Sequence, residues 1–307
     1  ALQEIEGNPG LSNVDQRRVC KTLADTLDKA GQFDEAALYY EKLSGRLAQV
    51  LPVAEGSASK NREFLETSGS SLAKKARVDM VPLAADPVFM FAWPGSGWEW
   101  MAAGLSTHPD LMLVADKPET QARRRAIISE PDGRGAIDKF SSEAAGQAAS
   151  RYWSDLAGGQ LEPGRRSTLD TMWLSAEMLP TLSRVFPAMK VVVVQRDPRR
   201  MVLDWFRSGY SDLQDMAAVY RQQLEALNSF RDMLDIEFVD VDGEALQTDT
   251  VSELQKLHEA LGLAWNESVG DQLRAQTPQP ESGRGEWSDY SGVLAGPLNL
   301  FTEGEPS

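Results

Sequence analysis

The first strong pattern in the chain is an alternation of apolar and polar positions at helical spacing between residues 14 and 48. Gly31 falls in the middle of this stretch, where a turn between two helices favours a left-handed residue. The apolar positions on either side of it share one face of each predicted helix: Leu23, Leu27, Phe33, Ala36, Ala37 and Tyr40. The pattern therefore predicts a helical hairpin.

Beyond residue 86, short apolar runs alternate with longer amphipathic segments. The apolar runs predict β-strands at residues 88–92, 111–114, 167–170, 191–194 and 236–239. The amphipathic segments predict helices at residues 97–106, 138–156, 175–186, 198–208, 213–233 and 251–261. Strands interleaved with helices are typical of a parallel sheet that helices cover on both faces. The predicted fold class is therefore α/β, and ligands should bind where strands turn into helices at the carboxyl edge of the sheet.

The same patterns divide the chain into four parts. Residues 1–53 carry the helical hairpin, and residues 54–85 are predicted to be a linker or connecting helix that opens with the loop-forming stretch Ala-Glu-Gly-Ser-Ala-Ser-Lys. Residues 86–302 form the predicted α/β domain. Residues 303–307 are expected to be a flexible tail.

The composition argues against several classes of function. The formal net charge of −15 argues against general binding to nucleic acid or to an acidic membrane, because both need a broad basic surface. No apolar run approaches the roughly 20 residues of a membrane-spanning helix, and the polar, acidic first residues predict no signal peptide. Cys20 is the only cysteine, which favours a reducing, cytoplasmic compartment. With this cysteine and two histidines, His108 and His258, we expect no metal site, a structural role for His108 and a surface or packing position for His258.

A glycine-rich turn follows the first predicted strand. Residues 93–100 have the sequence Trp-Pro-Gly-Ser-Gly-Trp-Glu-Trp and lead directly into a helix. Backbone N–H groups in such a turn can bind an anion with the help of the helix dipole. The lysine and the spacing of a nucleoside-triphosphate P-loop are absent. A tight turn that permits close packing would explain the two glycines equally well.

A second turn follows the predicted strand at residues 191–194. It contains Arg196, Asp197 and Pro198, and the proline suits the first turn of the next helix. Arg196 at the end of a buried strand is placed to contact a phosphate in bidentate fashion. The alternative is a structural role, in which Asp197 caps the helix and the arginine forms a salt bridge.

Taken together, the two turns resemble the sulfotransferase family. In that family a Pro-(Lys/Arg)-Ser-Gly-Thr-(Thr/Ser) turn holds the 5′-phosphosulfate of 3′-phosphoadenosine 5′-phosphosulfate (PAPS), and a strand–Arg-Asp-Pro–helix with a downstream Ser holds the 3′-phosphate. A late Gly-x-Trp element lies near the adenine. The resemblance covers residues 86–298 and implies a P-loop-like parallel sheet that binds PAPS or its product PAP. It places the donor-binding positions at Pro94, Gly95, Ser96, Gly97, Trp98, Glu99, Arg196, Asp204, Gly285 and Trp287.

The hairpin carries a second resemblance. Residues 23–43 are similar to a tetratricopeptide repeat (TPR), and a bacterial branch of the sulfotransferase family carries such repeats ahead of its α/β domain. One repeat cannot bury both of its faces, so we expect further repeats upstream and a protein partner. The alternative is an ordinary helical hairpin packed on the main domain.

Most of the side chains that bind the sulfonate donor in the family are replaced in this sequence. Gly95 stands at the basic position, Trp98 and Glu99 stand at the two hydroxyl positions, and Asp204 stands at the Ser that reaches the 3′-phosphate. Two like charges about 4 Å apart repel by ~4 kcal/mol at an effective dielectric constant near 20. Either carboxylate would therefore oppose PAPS. The arginines that could substitute for the missing contacts are Arg199, Arg200, Arg207, Arg274 and Arg284.

Three tryptophans, Trp93, Trp98 and Trp100, surround Glu99 in the sequence, and Trp173 is expected to face them. An aromatic wall with a carboxylate suits a cation, an amine or a sugar, so a small-molecule ligand is one hypothesis. Core packing is another, and pairing of Glu99 with Arg196 in an empty donor site is a third. No catalytic residue is assigned.

Three functions are compatible with these residues. The preferred interpretation is a catalytically impaired sulfotransferase homologue that acts as a binding or scaffold protein. The first alternative is an active PAPS-dependent sulfotransferase with an atypical donor site, and the second is a different transferase that reuses the pocket.

Overall fold

The computed structural model describes residues 10–44, 86–106, 108–114, 120–121, 123, 126, 141–157, 167–172, 174–265, 270 and 283–301. The chain forms two compact units. The first comprises residues 1–55, 196–222 and 279–307, and the second comprises residues 56–195 and 223–278. The predicted linker and the predicted tail lie outside the described residues, so the domain boundaries placed there stay a prediction.

The second unit contains a five-stranded sheet in which all neighbouring strands are parallel, in the order β2-β3-β1-β4-β5. The strands are β1 Val88–Phe91, β2 Leu111–Val114, β3 Ser167–Asp170, β4 Lys190–Gln195 and β5 Glu237–Asp242. The predicted α/β fold class and all five predicted strands are confirmed. β5 begins one residue later than predicted and extends to Asp242, because it pairs with β4 along its whole length.

The helices that accompany the strands also follow the sequence pattern closely. They are α1 Asn13–Lys29, α2 Phe33–Ser44, α3 Trp98–Leu105, α4 Ser142–Ala157, α5 Leu179–Val185, α6 Pro198–Ser208, α7 Leu213–Met233, α8 Gly243–Thr248, α9 Thr250–Ala260 and α10 Ala295–Leu298. The predictions for α6 and α7 are confirmed to the residue, whereas α8 and α10 were not predicted. Among the described helices, none combines the length and the apolar character needed to cross a membrane.

Alternation along the strands explains how the sheet acquires two apolar faces. Val88 and Met90 of β1 belong to a buried cluster that includes side chains of α3, α8 and α9. Phe89, between them, points to the opposite face, where its ring lies 6.0 Å from that of Tyr152 in α4 and 5.7 Å from that of Phe186. Because successive side chains of a strand point to opposite faces, one apolar run supplies both layers of the core.

The first unit contains the predicted helical hairpin, formed by α1 and α2. Ser12 caps α1, since its side chain accepts a hydrogen bond from the backbone N–H of Asp15 at 3.2 Å. Gly31 adopts φ +74° in the turn, as predicted. The hairpin is therefore confirmed as a structural element, and its kinship to the tetratricopeptide repeat stays a prediction.

The two histidines pack against each other inside the second unit, with 5.2 Å between their ring centroids. Nδ1 of His108 accepts from the backbone N–H of Asp110, and its Nε2 lies 2.9 Å from the carbonyl of Ala264. Nδ1 of His258 donates to the carbonyl of Leu254, while Nε2 is buried and has no hydrogen-bond partner among the described residues. Burial, with a further contribution from His108, lowers the pKa of His258 below its ordinary value of 6.5.

This lowered pKa predicts acid sensitivity. Below pH 6.5 the unfolded chain binds a proton at His258 that the folded protein does not yet accept, so stability falls as the pH decreases. In urea unfolding, the free energy of unfolding of the wild type should therefore fall more between about pH 7.5 and pH 5.5 than that of His258→Gln does. Equal losses in the two proteins would contradict the prediction.

Candidate functional site

The turn after β1 is held in a defined shape by its two glycines. Gly95 and Gly97 have φ values of +81° and +94°, in the left-handed region that glycine adopts at little cost. The backbone N–H of Ser96 donates to the carbonyl of Trp93 at 3.0 Å, and α3 then begins at Trp98. The glycine-rich turn that the sequence predicted between strand and helix is therefore present.

A contact not predicted from the sequence fixes this turn from outside. Gly243, the first residue of α8, lies so close that a Cβ atom on it would stand 2.1 Å from the carbonyl oxygen of Ser96 and 2.9 Å from that of Gln195. The turn after β1, the end of β4 and the start of α8 therefore meet at one glycine. The hydroxyl of Ser96 is fully buried and has no hydrogen-bond partner in the described part of the chain.

The tryptophans around this turn are engaged in packing. Trp93 is buried, and Trp98 and Trp100 are partly buried against the apolar cluster of the sheet. Glu99 is exposed at the first turn of α3. Trp173 lies outside the described residues. These positions favour the packing role that was one of the alternatives for the three indoles.

At the second turn, Arg196 follows β4 directly and is engaged by a carboxylate of the same unit. Its Nη1 donates to Oδ2 of Asp204 at 2.5 Å, and only 7% of the arginine side chain is exposed to solvent. Asp204 is the residue that stands where the family has a phosphate-binding Ser. The aspartate thus forms an ion pair with the arginine that the resemblance assigns to the 3′-phosphate.

The next residues of this turn form a helix cap. The side chain of Asp197 accepts from the backbone N–H and the guanidinium of Arg199, and Pro198 occupies the first position of α6. Burial alone would raise the pKa of Asp197, but these hydrogen bonds hold it below its ordinary value. The capping role that was an alternative for Asp197 is therefore observed.

The late Gly-x-Trp element contacts the start of α6 within the first unit. The guanidinium of Arg199 lies 4.6 Å from the ring centroid of Trp287, and Arg200 forms a 3.2 Å ion pair with Glu286. The neighbouring residue Gly285 is buried. These contacts bring Arg199, Arg200 and Trp287 together around the first turn of α6.

The arginines that could have substituted for missing phosphate contacts are engaged elsewhere. Arg207 pairs with Asp28 at 2.6 Å and Arg284 pairs with Asp25 at 3.2 Å, while Arg199 and Arg200 are paired with acidic side chains as described above. Arg274 lies outside the described residues. Each candidate arginine that the structure describes therefore already has a carboxylate partner.

At the positions that the resemblance assigns to PAPS, most side chains differ from those of the family. The turn after β1 offers backbone N–H groups and a buried serine hydroxyl, but it has no cation after Pro94 and no hydroxyl at residues 98 and 99. At the other turn, Asp204 already neutralises Arg196. No group of His, Cys, Asp and Glu side chains in the described part of the chain could hold a metal ion.

The second unit has the parallel sheet of an α/β protein, and the glycine-rich and Arg-Asp-Pro turns follow β1 and β4 in the chain. A sequence model of the sulfotransferase family matches residues 87–267, which is more than half of the chain, and the chain therefore belongs to that family. A comparison with curated protein sequences finds no significant match.

Several solved sulfotransferases are similar to this chain. The sulfotransferase domain of a Synechococcus olefin synthase is 14% identical, with a TM-score of 0.46, covering 76% of this chain and 94% of that one. The sulfotransferase STF1 of Mycobacterium tuberculosis is 15% identical, with a TM-score of 0.45 and coverages of 95% and 98%. A mouse sulfotransferase complexed with PAP is 15% identical, with a TM-score of 0.44 and coverages of 84% and 94%.

Proposed function

We propose that this chain is a catalytically impaired member of the sulfotransferase family that acts as a binding or scaffold protein. The observation that carries the proposal is the ion pair between Arg196 and Asp204. A carboxylate at this position disfavours binding of a 3′-phosphate in two ways. It repels the anion, and it pairs with the guanidinium that would otherwise contact the anion.

The turn after β1 supports the same proposal. In relatives the cation at the position of Gly95 would stabilise the charge that develops during sulfonate transfer. Loss of one such group typically lowers a rate by about 10²–10³. Glu99 adds a negative charge beside the same turn instead of a phosphate-binding hydroxyl. Sulfonate transfer would therefore be slow even if a donor bound.

Calorimetric titration with PAP tests the proposal. The wild type should give no binding heat at micromolar to millimolar PAP. Asp204→Ser restores the residue type of the family and frees Arg196, so it should raise PAP affinity by about tenfold or more, equivalent to ~1.4 kcal/mol. Adding Arg196→Ala to Asp204→Ser should abolish that gain.

Asp215→Ser is the matched control, because it makes the same change of side chain and charge at an exposed position at the start of α7. It should leave PAP binding as it is in the wild type. Micromolar binding of PAP by the wild type, abolished by Arg196→Ala, would overturn the proposal.

That outcome would favour the alternative, an active PAPS-dependent sulfotransferase with an atypical donor site. One observation supports it: the first turn keeps both left-handed glycines and a buried serine hydroxyl that has no hydrogen-bond partner in the part of the chain that the structure describes. Transfer of labelled sulfonate from PAPS to an acceptor hydroxyl or amine would then be the activity to measure.

A scaffold role also needs a partner, and the hairpin is where we propose that a protein binds. Leu38 of α2 and Val14 of α1 are each 59% exposed. They offer apolar contact area outside the buried face of the hairpin.

A further inference from the structure

The hairpin contains a buried carboxylate. Asp28 lies in the last turn of α1 and is fully buried, a position that is costly for a charge unless it is paired and hydrogen-bonded. Its Oδ2 accepts from Nη2 of Arg207 at 2.6 Å and from the hydroxyl of Tyr40 at 3.2 Å. Its Oδ1 accepts from the backbone N–H of Gly285 at 2.9 Å. These contacts join the hairpin to α6 and to the segment at residues 283–290.

Asp28 and Arg207 together hold both polar main-chain atoms of one residue. While Asp28 accepts from the N–H of Gly285, Arg207 donates to the carbonyl of Gly285 at 2.8 Å. Arg207 is itself buried in α6, and its guanidinium lies 5.5 Å from the ring centroid of Tyr290. The ion pair therefore fixes the position and the orientation of the peptide groups around Gly285.

Close packing completes this arrangement. A Cβ atom on Gly285 would stand 2.5 Å from Cε1 of Phe33, so the ring of the hairpin lies directly against the main chain. The ring of Phe33 also lies 5.6 Å from that of Tyr290, and the ring of Tyr40 lies 5.5 Å from that of Phe206 in α6. The segment at residues 283–290 and α6 are thus held to one aromatic cluster.

From these contacts we propose that the hairpin is an internal positioning element, with Asp28 and Arg207 as positioning residues for Glu286 and Trp287. Gly285 is followed directly by these two residues, which contact Arg200 and Arg199. Holding Gly285 therefore sets where Trp287 meets the start of α6. The buried face of the hairpin packs against α6 and residues 283–290, so a protein partner would have to contact the outer face of the hairpin. This inference stands whether or not PAP binds.

Fluorine NMR of the full chain labelled with 5-fluorotryptophan tests the proposal, since the eight tryptophans give separate probes. Trp287→Phe identifies the signal of Trp287. Asp28→Asn removes the charge that pairs with Arg207 while preserving the side-chain shape. It should shift the Trp287 signal by more than one linewidth and leave the signals of Trp93, Trp98, Trp100 and Trp153 in place.

Asp34→Asn is the matched control, because Asp34 is an exposed aspartate of the same hairpin, and it should shift no signal. An unchanged Trp287 signal in Asp28→Asn would overturn the proposal. A simultaneous shift of all signals would also overturn it, because Asp28 would then support the whole fold rather than the position of Trp287. Should Asp28→Asn fail to fold, Gly285→Ala leaves both charges in place but introduces a Cβ 2.5 Å from Cε1 of Phe33 and 3.2 Å from Oδ1 of Asp28. An unchanged Trp287 signal in that variant would also overturn the proposal.

Discussion

Arg207→Ala is expected to lower the free energy of unfolding by about 3–5 kcal/mol, because it removes one partner of a buried ion pair. Asp28 would remain as a fully buried carboxylate without its guanidinium, and the carbonyl of Gly285 would lose its hydrogen bond. Although burial disfavours the charged form of Arg207, Asp28 raises its pKa above the ordinary value. Truncation therefore removes a charge that the folded protein stabilises.

Urea unfolding followed by far-UV circular dichroism measures this loss. Arg18→Ala is the matched control: Arg18 pairs with Asp15 at 3.8 Å on the surface of α1, with 78% of its side chain exposed. Exposed pairs of this kind contribute at most about 1 kcal/mol, so the control should unfold near the wild-type urea concentration. A similar, small effect in both variants would show that the pair at Arg207 is not energetically distinct from a surface pair.

A double-mutant cycle separates the pair from its surroundings. Combining Asp28→Ala with Arg207→Ala removes both charges, so the second substitution should cost clearly less than it does alone. The expected coupling is about 0.5–3 kcal/mol, the range for residues in direct contact within one network. Additive losses would mean that Asp28 and Arg207 stabilise the hairpin independently.

The strands and long helices could be predicted because the sequence features that determine them are local. β4 is a run of four valines between polar ends, and a buried parallel strand needs such a run. α6 begins at a proline after a capping aspartate and ends before Gly209, which are the ordinary start and stop signals of a helix. α8 was not predicted because it is only six residues long and begins with a glycine.

The electrostatic contacts of the first unit were not predictable in the same way. Asp204 was recognised as a departure from the family, but its pairing with Arg196 was not predicted. Asp28 appears in the sequence as one more polar residue of an amphipathic helix. Its partners, Arg207 and Gly285, lie far along the chain, and no spacing rule connects them. Only the tertiary structure shows that this aspartate is buried.

Gly243→Ala is expected to destabilise the second unit by about 1–3 kcal/mol, the usual cost of adding a methyl group where the surroundings cannot yield. The new Cβ would lie 2.1 Å from the carbonyl oxygen of Ser96, and the next obstacle, the carbonyl oxygen of Gln195, is also main chain. Neither can rotate away like the end of a side chain. The turn after β1 must therefore move, and the buried hydroxyl of Ser96 moves with it.

Gly292→Ala provides the control for this substitution, because a Cβ on Gly292 would meet no atom within 4 Å. Urea unfolding should distinguish the two, with Gly292→Ala close to the wild type. In the fluorine spectrum, Gly243→Ala should also shift the signals of Trp98 or Trp100, which lie in α3 directly after the displaced turn. Wild-type stability in Gly243→Ala would mean that the turn after β1 yields without cost, and a turn that yields so readily could not hold backbone N–H groups in place for an anion.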